Sequence, residues 1–146
     1  EFNLPKLKLE FNEPPIYFSS IHDKSWKVDR PLVWKLLEIA KCAKYWEPDL
    51  RKADYRYENK WNFFSHNIIY DNKVCNTITA NDNNFVWWEY RYLNKSELML
   101  AWSRPSDYNF LDVKPEYLIW MSVPPLMMFR VSNEIRKQRL DLIYNK

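Results

Sequence analysis

The stretch TANDNNFVWWEYRYLNK, residues 79–95, decides how the rest of the chain is read. Asparagine clusters stand at both ends, and between them Phe85, Trp87, Trp88, Tyr90 and Tyr92 crowd a run without glycine or proline. Aromatic and β-branched residues suit a pleated, half-buried surface, so the run predicts a single strand over 85–93 bounded by turns. Alternation then sets Val86, Trp88, Tyr90 and Tyr92 on one face and Phe85, Trp87, Glu89 and Arg91 on the other. The second face ends in charge, which predicts that Trp87 and Arg91 face solvent while Trp88 is core.

Outward from this strand, 61–70, 74–80 and 98–103 carry similar runs separated by asparagine, which predicts an antiparallel meander over 61–103. A further strand is expected over 117–123, interrupted by Pro124 and Pro125. Asp29 reads as an N-cap with Pro31 in the first turn. Val33, Leu36, Leu37, Ala40 and Ala43 then recur at helical spacing before Pro48, predicting a helix over 30–46. Residues 126–131 fit strand and helix equally. Ser132 or Asn133 can cap a final helix over 133–144 with Ile135, Leu142 and Ile143 inward. Residues 1–28, with Pro5, Pro14 and Pro15, predict an extended arm or edge strand. The expected fold class is α+β: an antiparallel sheet of about five strands, the 61–103 meander plus 117–123, packed by helices 30–46 and 133–144 in one domain, 1–146.

The chain contains no glycine. Phosphate-cradling loops, dinucleotide fingerprints and nucleophile elbows need a residue without a side chain where the backbone turns sharply or approaches a ligand. Those classes are excluded in their standard form, and with them the glycine-dependent calcium and RNA-binding motifs. Left-handed turn positions must still be filled, and asparagine tolerates them best after glycine. Asp71-Asn72-Lys73, Asn81-Asp82-Asn83-Asn84 and Asn94-Lys95-Ser96 are therefore expected turns. The richness in Asn, Lys, Ile and Tyr also matches the codon bias of AT-rich genomes, such as those of phages and viruses.

A net charge of +3, from 22 basic and 19 acidic residues, permits nucleic-acid binding without demanding it. Cys42 and Cys75 are too few for a disulfide framework and are expected as reduced thiols, consistent with an intracellular protein. Apolar runs are too short to span a bilayer, so no membrane partner is expected. His22 and His66 stand in no metal-binding spacing, and no metal or cofactor is expected.

The strongest functional signal is aromatic residues beside cations. Tyr55 and Arg56, Trp87 and Arg91, and the basic Arg136, Lys137 and Arg139 near the C-terminal end form the expected binding set. Of the eight Trp, Trp34, Trp88 and Trp120 are expected in the core. The function expected is a small, non-catalytic binding or accessory protein, phage or viral in kind, using an exposed aromatic-basic sheet face. Its partner is a protein or a single-stranded nucleic acid. The alternative is a Mg²⁺-dependent nuclease or phosphodiesterase with Asp49, Glu89 and Arg91 catalytic, carboxylates holding the ion and Arg91 stabilising charge.

Overall fold

The structure, a computed structural model, describes residues 7–25, 27–81 and 83–140. Its sheet is short and mixed. β1 (Ile68–Ile69) pairs in parallel with β2 (Phe85–Val86), and β2 pairs antiparallel with β3 (Arg91–Tyr92). Five α-helices lie among the described residues: α1 (Trp34–Lys41), α2 (Arg51–Glu58), α3 (Lys95–Ala101), α4 (Pro115–Trp120) and α5 (Pro125–Ile135). A 3-10 turn spans Phe18–Ser20, and α5 runs on as a π-helix over Arg136–Leu140. The expected antiparallel sheet of about five strands is thus overturned, and helix replaces strand at two of its segments.

The single strand expected over 85–93 is a hairpin. Trp87, Trp88, Glu89 and Tyr90 form its loop, with the Glu89 N–H donating to Val86 O at 3.3 Å. Tyr90 sits at φ 50°, a left-handed position that costs a non-glycine residue roughly 1–2 kcal/mol. Packing offsets this: Trp87, Tyr90 and Tyr92 all close against the cluster built on α1 and α2. Alternation therefore breaks between β2 and β3, and the face assignment made across 85–93 fails with it.

The segment 98–103 is helical because its start is capped. The Asn94 side chain accepts from the backbone of the third helical residue, Glu97, and the Glu97 carboxylate accepts the Asn94 N–H at 2.8 Å. In α4 and α5, Pro115 and Pro125 occupy the first turn, where a missing N–H costs nothing. The tandem proline expected to interrupt a strand instead opens a helix. That helix precedes the predicted start at 133, and 141–144 lie outside the described residues. The helix expected over 30–46 is shorter for a tertiary reason: Arg30 O accepts the Tyr92 N–H at 3.0 Å and Pro31 bridges Arg91, so this stretch runs beside β3.

Left-handed positions fall at Trp46, Asn59, Phe63, Tyr90, Ser103 and Leu111. Asparagine takes glycine's place at Asn59, the C-cap of α2, and not at Asn72, Asn81, Asn83, Asn84 or Asn94. Asn84 and Asn94 are buried polar staples: the Asn84 amide donates to Thr77 O at 3.2 Å, and the Asn94 amide to Lys27 O at 2.7 Å.

Both faces of the sheet are covered, which explains why β1 and β2 are wholly apolar instead of alternating. Ile68 and Phe85 join Leu32, Leu36, Ile39, Leu50 and Ala53, with Tyr92 packed against them. Ile69 and Val86 join Phe18, Ile78, Leu93, Leu98, Phe110 and Ile119 on the other side. Among the described residues both sheet faces are packed, so the expected exposed face is absent there. Three tryptophans assigned to the core lie outside it: Trp34 is 72%, Trp120 51% and Trp88 36% exposed. Residues 7–16 carry no helix or strand; there Gln138 pairs with both backbone groups of Lys8, and Arg130 meets Glu13 at 3.3 Å. Among the described residues no helix is long and apolar enough to cross a membrane.

Candidate functional site

The hairpin loop faces two turns and builds a cleft with them. The turn after α1 supplies Tyr45 and Trp46, the turn after β1 supplies Tyr70, Asp71 and Asn72, and the loop supplies Trp87 and Trp88. Tyr45, Tyr70, Asp71, Asn72, Trp87 and Trp88 line a cleft of about 390 Å³. Ring centroids lie 5.3 Å apart for Tyr45 and Tyr70, near perpendicular, and 5.8 Å apart for Tyr45 and Trp87. Such offset and edge-on pairs are the favoured arrangements of aromatic quadrupoles, so the walls hold one another in place. Tyr70 is anchored from behind, its hydroxyl donating to Glu47 O at 2.9 Å, and burial pushes its pKa up to about 12. The rings already attract a cation: Lys73 Nζ sits 4.7 Å from the Trp46 centroid and 5.2 Å from that of Tyr70.

Behind the loop lies a chain of ionisable groups. His22 Nε2 is 2.8 Å from Glu89 Oε1, the other Glu89 oxygen accepts from Arg91 Nε, and the two terminal nitrogens of Arg91 donate to Glu97 at 2.7 and 2.8 Å. Burial pulls the Arg91 pKa down, but the hydrogen bonds it donates to Glu97 and then to Glu89 override this and the net direction is up. The Glu97 carboxylate also accepts the Asp23 N–H at 2.9 Å. Side-chain and backbone hydrogen bonds from Ser25, with one from Ser96, hold the Asp23 carboxyl at about 2. Trp88 stands edge-on to His22 at 5.6 Å, joining this chain to the cleft.

Asp71 is the acidic group inside the cleft. Its side chain is 54% exposed, and its ion contact among the described residues is with His22 Nδ1 at 3.8 Å, too long for a hydrogen bond. Behind it Glu89 and Glu97 close on Arg91, His22 stands between Asp71 and Glu89, and the Lys73 ammonium lies over Tyr70.

The binding set expected from the sequence is not gathered at one place. Trp87 lines the cleft, whereas Arg91 is buried behind it. Arg56 closes on Glu47 at 2.9 and 2.6 Å and on Cys42 O, while Tyr55 stacks on Trp61 at 5.3 Å along α2. Arg136, Lys137 and Arg139 lie on the π-helical turns beyond α5, with Lys137 paired to Glu134. For the alternative, Asp49 is gripped by Arg51 through both carboxylate oxygens, and Glu89 is held by His22 and Arg91. Among the described residues no group of three or more His, Cys, Asp or Glu could hold a metal ion. Tyr45, Tyr70, Asp71 and Trp88 escaped sequence reasoning, although the paired aromatics Tyr45-Trp46 and Trp87-Trp88 mark two of the walls. His22 carried no signal, because its partner Glu89 is 67 positions away.

Comparisons with protein-family models, with curated proteins and with solved structures give no match to this chain.

Proposed function

We propose that the protein is a non-catalytic binding protein whose aromatic cleft receives a group of a protein partner. The observation that carries this is the coexistence, in one open cleft, of three mutually braced rings, Tyr45, Tyr70 and Trp87, with Trp88 beside them and a carboxylate that accepts no hydrogen bond among the described residues. Exposed Trp and Tyr beside a polar tip are the residues that dominate protein interfaces. A nucleic-acid partner has less support, since Arg56 and Arg91, two of the cations expected in the binding set, are turned onto Glu47, Glu89 and Glu97, and Arg136, Lys137 and Arg139 lie on another element and do not line the cleft. The hydrolytic alternative likewise has less support, because Asp49 and Glu89 serve separate ion pairs. Cys42 and Cys75 as thiols fit a reducing, intracellular setting.

The test is capture of the partner by tagged protein, with and without nuclease, comparing wild type with Trp88→Ala and the control Trp120→Ala. The expected result is a partner that survives nuclease, is lost with Trp88→Ala and is kept with Trp120→Ala. Retention by a folded Trp88→Ala refutes the cleft, and loss after nuclease replaces the protein partner with a nucleic acid.

A further inference from the structure

We propose that the group admitted by the cleft is a guanidinium, the arginine side chain of a basic segment in the partner, stacked on the rings and paired with Asp71. This rests on the binding reading above and adds the chemistry of the guest.

Three observations converge on it. The walls are π-faces, and a planar, weakly hydrated guanidinium stacks on such faces while its edge stays open for hydrogen bonds. The cleft places a half-exposed carboxylate beside those rings, and a carboxylate accepts a guanidinium in a two-bond fork. The charge around the cleft is acidic on balance: Asp71, Glu89, Glu97 and Asp23 stand against Arg91 and Lys73, with His22 between Asp71 and Glu89. Lys73 Nζ lies 4.7 Å from the Trp46 centroid and 5.2 Å from that of Tyr70, so the guest stacks on Trp87 and Trp88, the cleft rings that Lys73 does not cover. A volume of about 390 Å³ suits one long side chain and excludes a helix or strand, so recognition is of a single residue presented on an extended or looped segment.

The neutral isostere of arginine, citrulline, separates charge from shape. Titration of the protein with acetyl-Gly-Arg-Gly-amide, its citrulline and lysine counterparts and its glutamate counterpart is followed at the indole N–H resonances of Trp87 and Trp88. The expected order is arginine first, lysine weaker, and citrulline and glutamate weaker by about tenfold or more, as loss of a charge-assisted pair implies. Asp71→Asn abolishes the preference for arginine over citrulline, and Asp71→Glu restores part of it. Equal shifts with arginine and citrulline refute the guanidinium while leaving the cleft as a binding site. No shift with any peptide also refutes it, and the binding reading then stands or falls separately on partner capture by Trp88→Ala.

Discussion

Arg91 and Glu97 form a fork-on-fork ion pair in the interior, the guanidinium nitrogens 2.7 and 2.8 Å from the two carboxylate oxygens and the side chains 1% and 0% exposed. The pair ties β3 to the first turn of α3. Because Glu97 also accepts the Asn94 N–H, one carboxylate both caps a helix and neutralises a buried charge.

Breaking that pair from one side leaves a charge in the interior with no partner. Arg91→Met is expected to cost about 3–5 kcal/mol in chemical denaturation. A loss below about 1 kcal/mol, as for an exposed arginine, would contradict the burial of the pair.

The two loop tryptophans should respond unequally. Trp87→Ala removes a ring packed against the α1 and α2 cluster and is expected to cost about 2 kcal/mol, whereas the more exposed Trp88→Ala costs about 1. Trp34→Ala, on the outer face of α1, is expected within about 0.5 kcal/mol of wild type. Thermal melts that rank Trp88 above Trp87 would restore the single-strand alternation in place of the hairpin.

Glycine is absent from the chain, so introducing it tests the backbone directly. Leu111 is left-handed at φ 53° and 81% exposed, so Leu111→Gly relieves strain without losing packing and is expected to stabilise by about 0.5–1 kcal/mol. Asn72→Gly relieves nothing, because Asn72 is not left-handed, and should lower stability by a similar amount. Reversed signs in paired melts would move the left-handed position from Leu111 to the Asn72 turn.

Tyr70 should titrate late. Burial holds its hydroxyl neutral up to about pH 12 against an ordinary value of 10.0. A raised folded pKa favours the protonated form, so its contribution to stability is complete below pH 10 and disappears as pH rises through about 12. Ultraviolet difference titration of wild type against Tyr70→Phe isolates this ionisation, and Tyr70→Phe itself is expected to cost about 1 kcal/mol for the lost bond to Glu47 O. A Tyr70 signal appearing near pH 10 would mean that its hydroxyl is open to water.

What the sequence determined by itself is local. Asn94-Lys95-Ser96-Glu97 ahead of Leu98-Met99-Leu100-Ala101 is a capping box, and Pro115 and Pro125 open helices, each device acting within one turn, although the apolar runs beside them read as strand. Missing glycine excluded phosphate-cradling loops for an equally local reason. Strand was legible at Ile68-Ile69 and at Phe85-Val86, but alternation set Phe85 on the face expected to meet solvent, whereas both faces of the sheet are covered. The tertiary structure decided the hairpin and the cleft. The loop Trp87-Trp88-Glu89-Tyr90 carries no turn residue, and its closure is held by His22 on Glu89, by Glu97 on Arg91, and by α1 and α2 under Trp87 and Tyr90. Periodicity registers which neighbours share a face. It has no access to the hairpin and helix start that close Glu89 and Glu97 on Arg91, nor to His22, which holds Glu89 from 67 positions away, and those contacts are what make burial of an arginine tolerable.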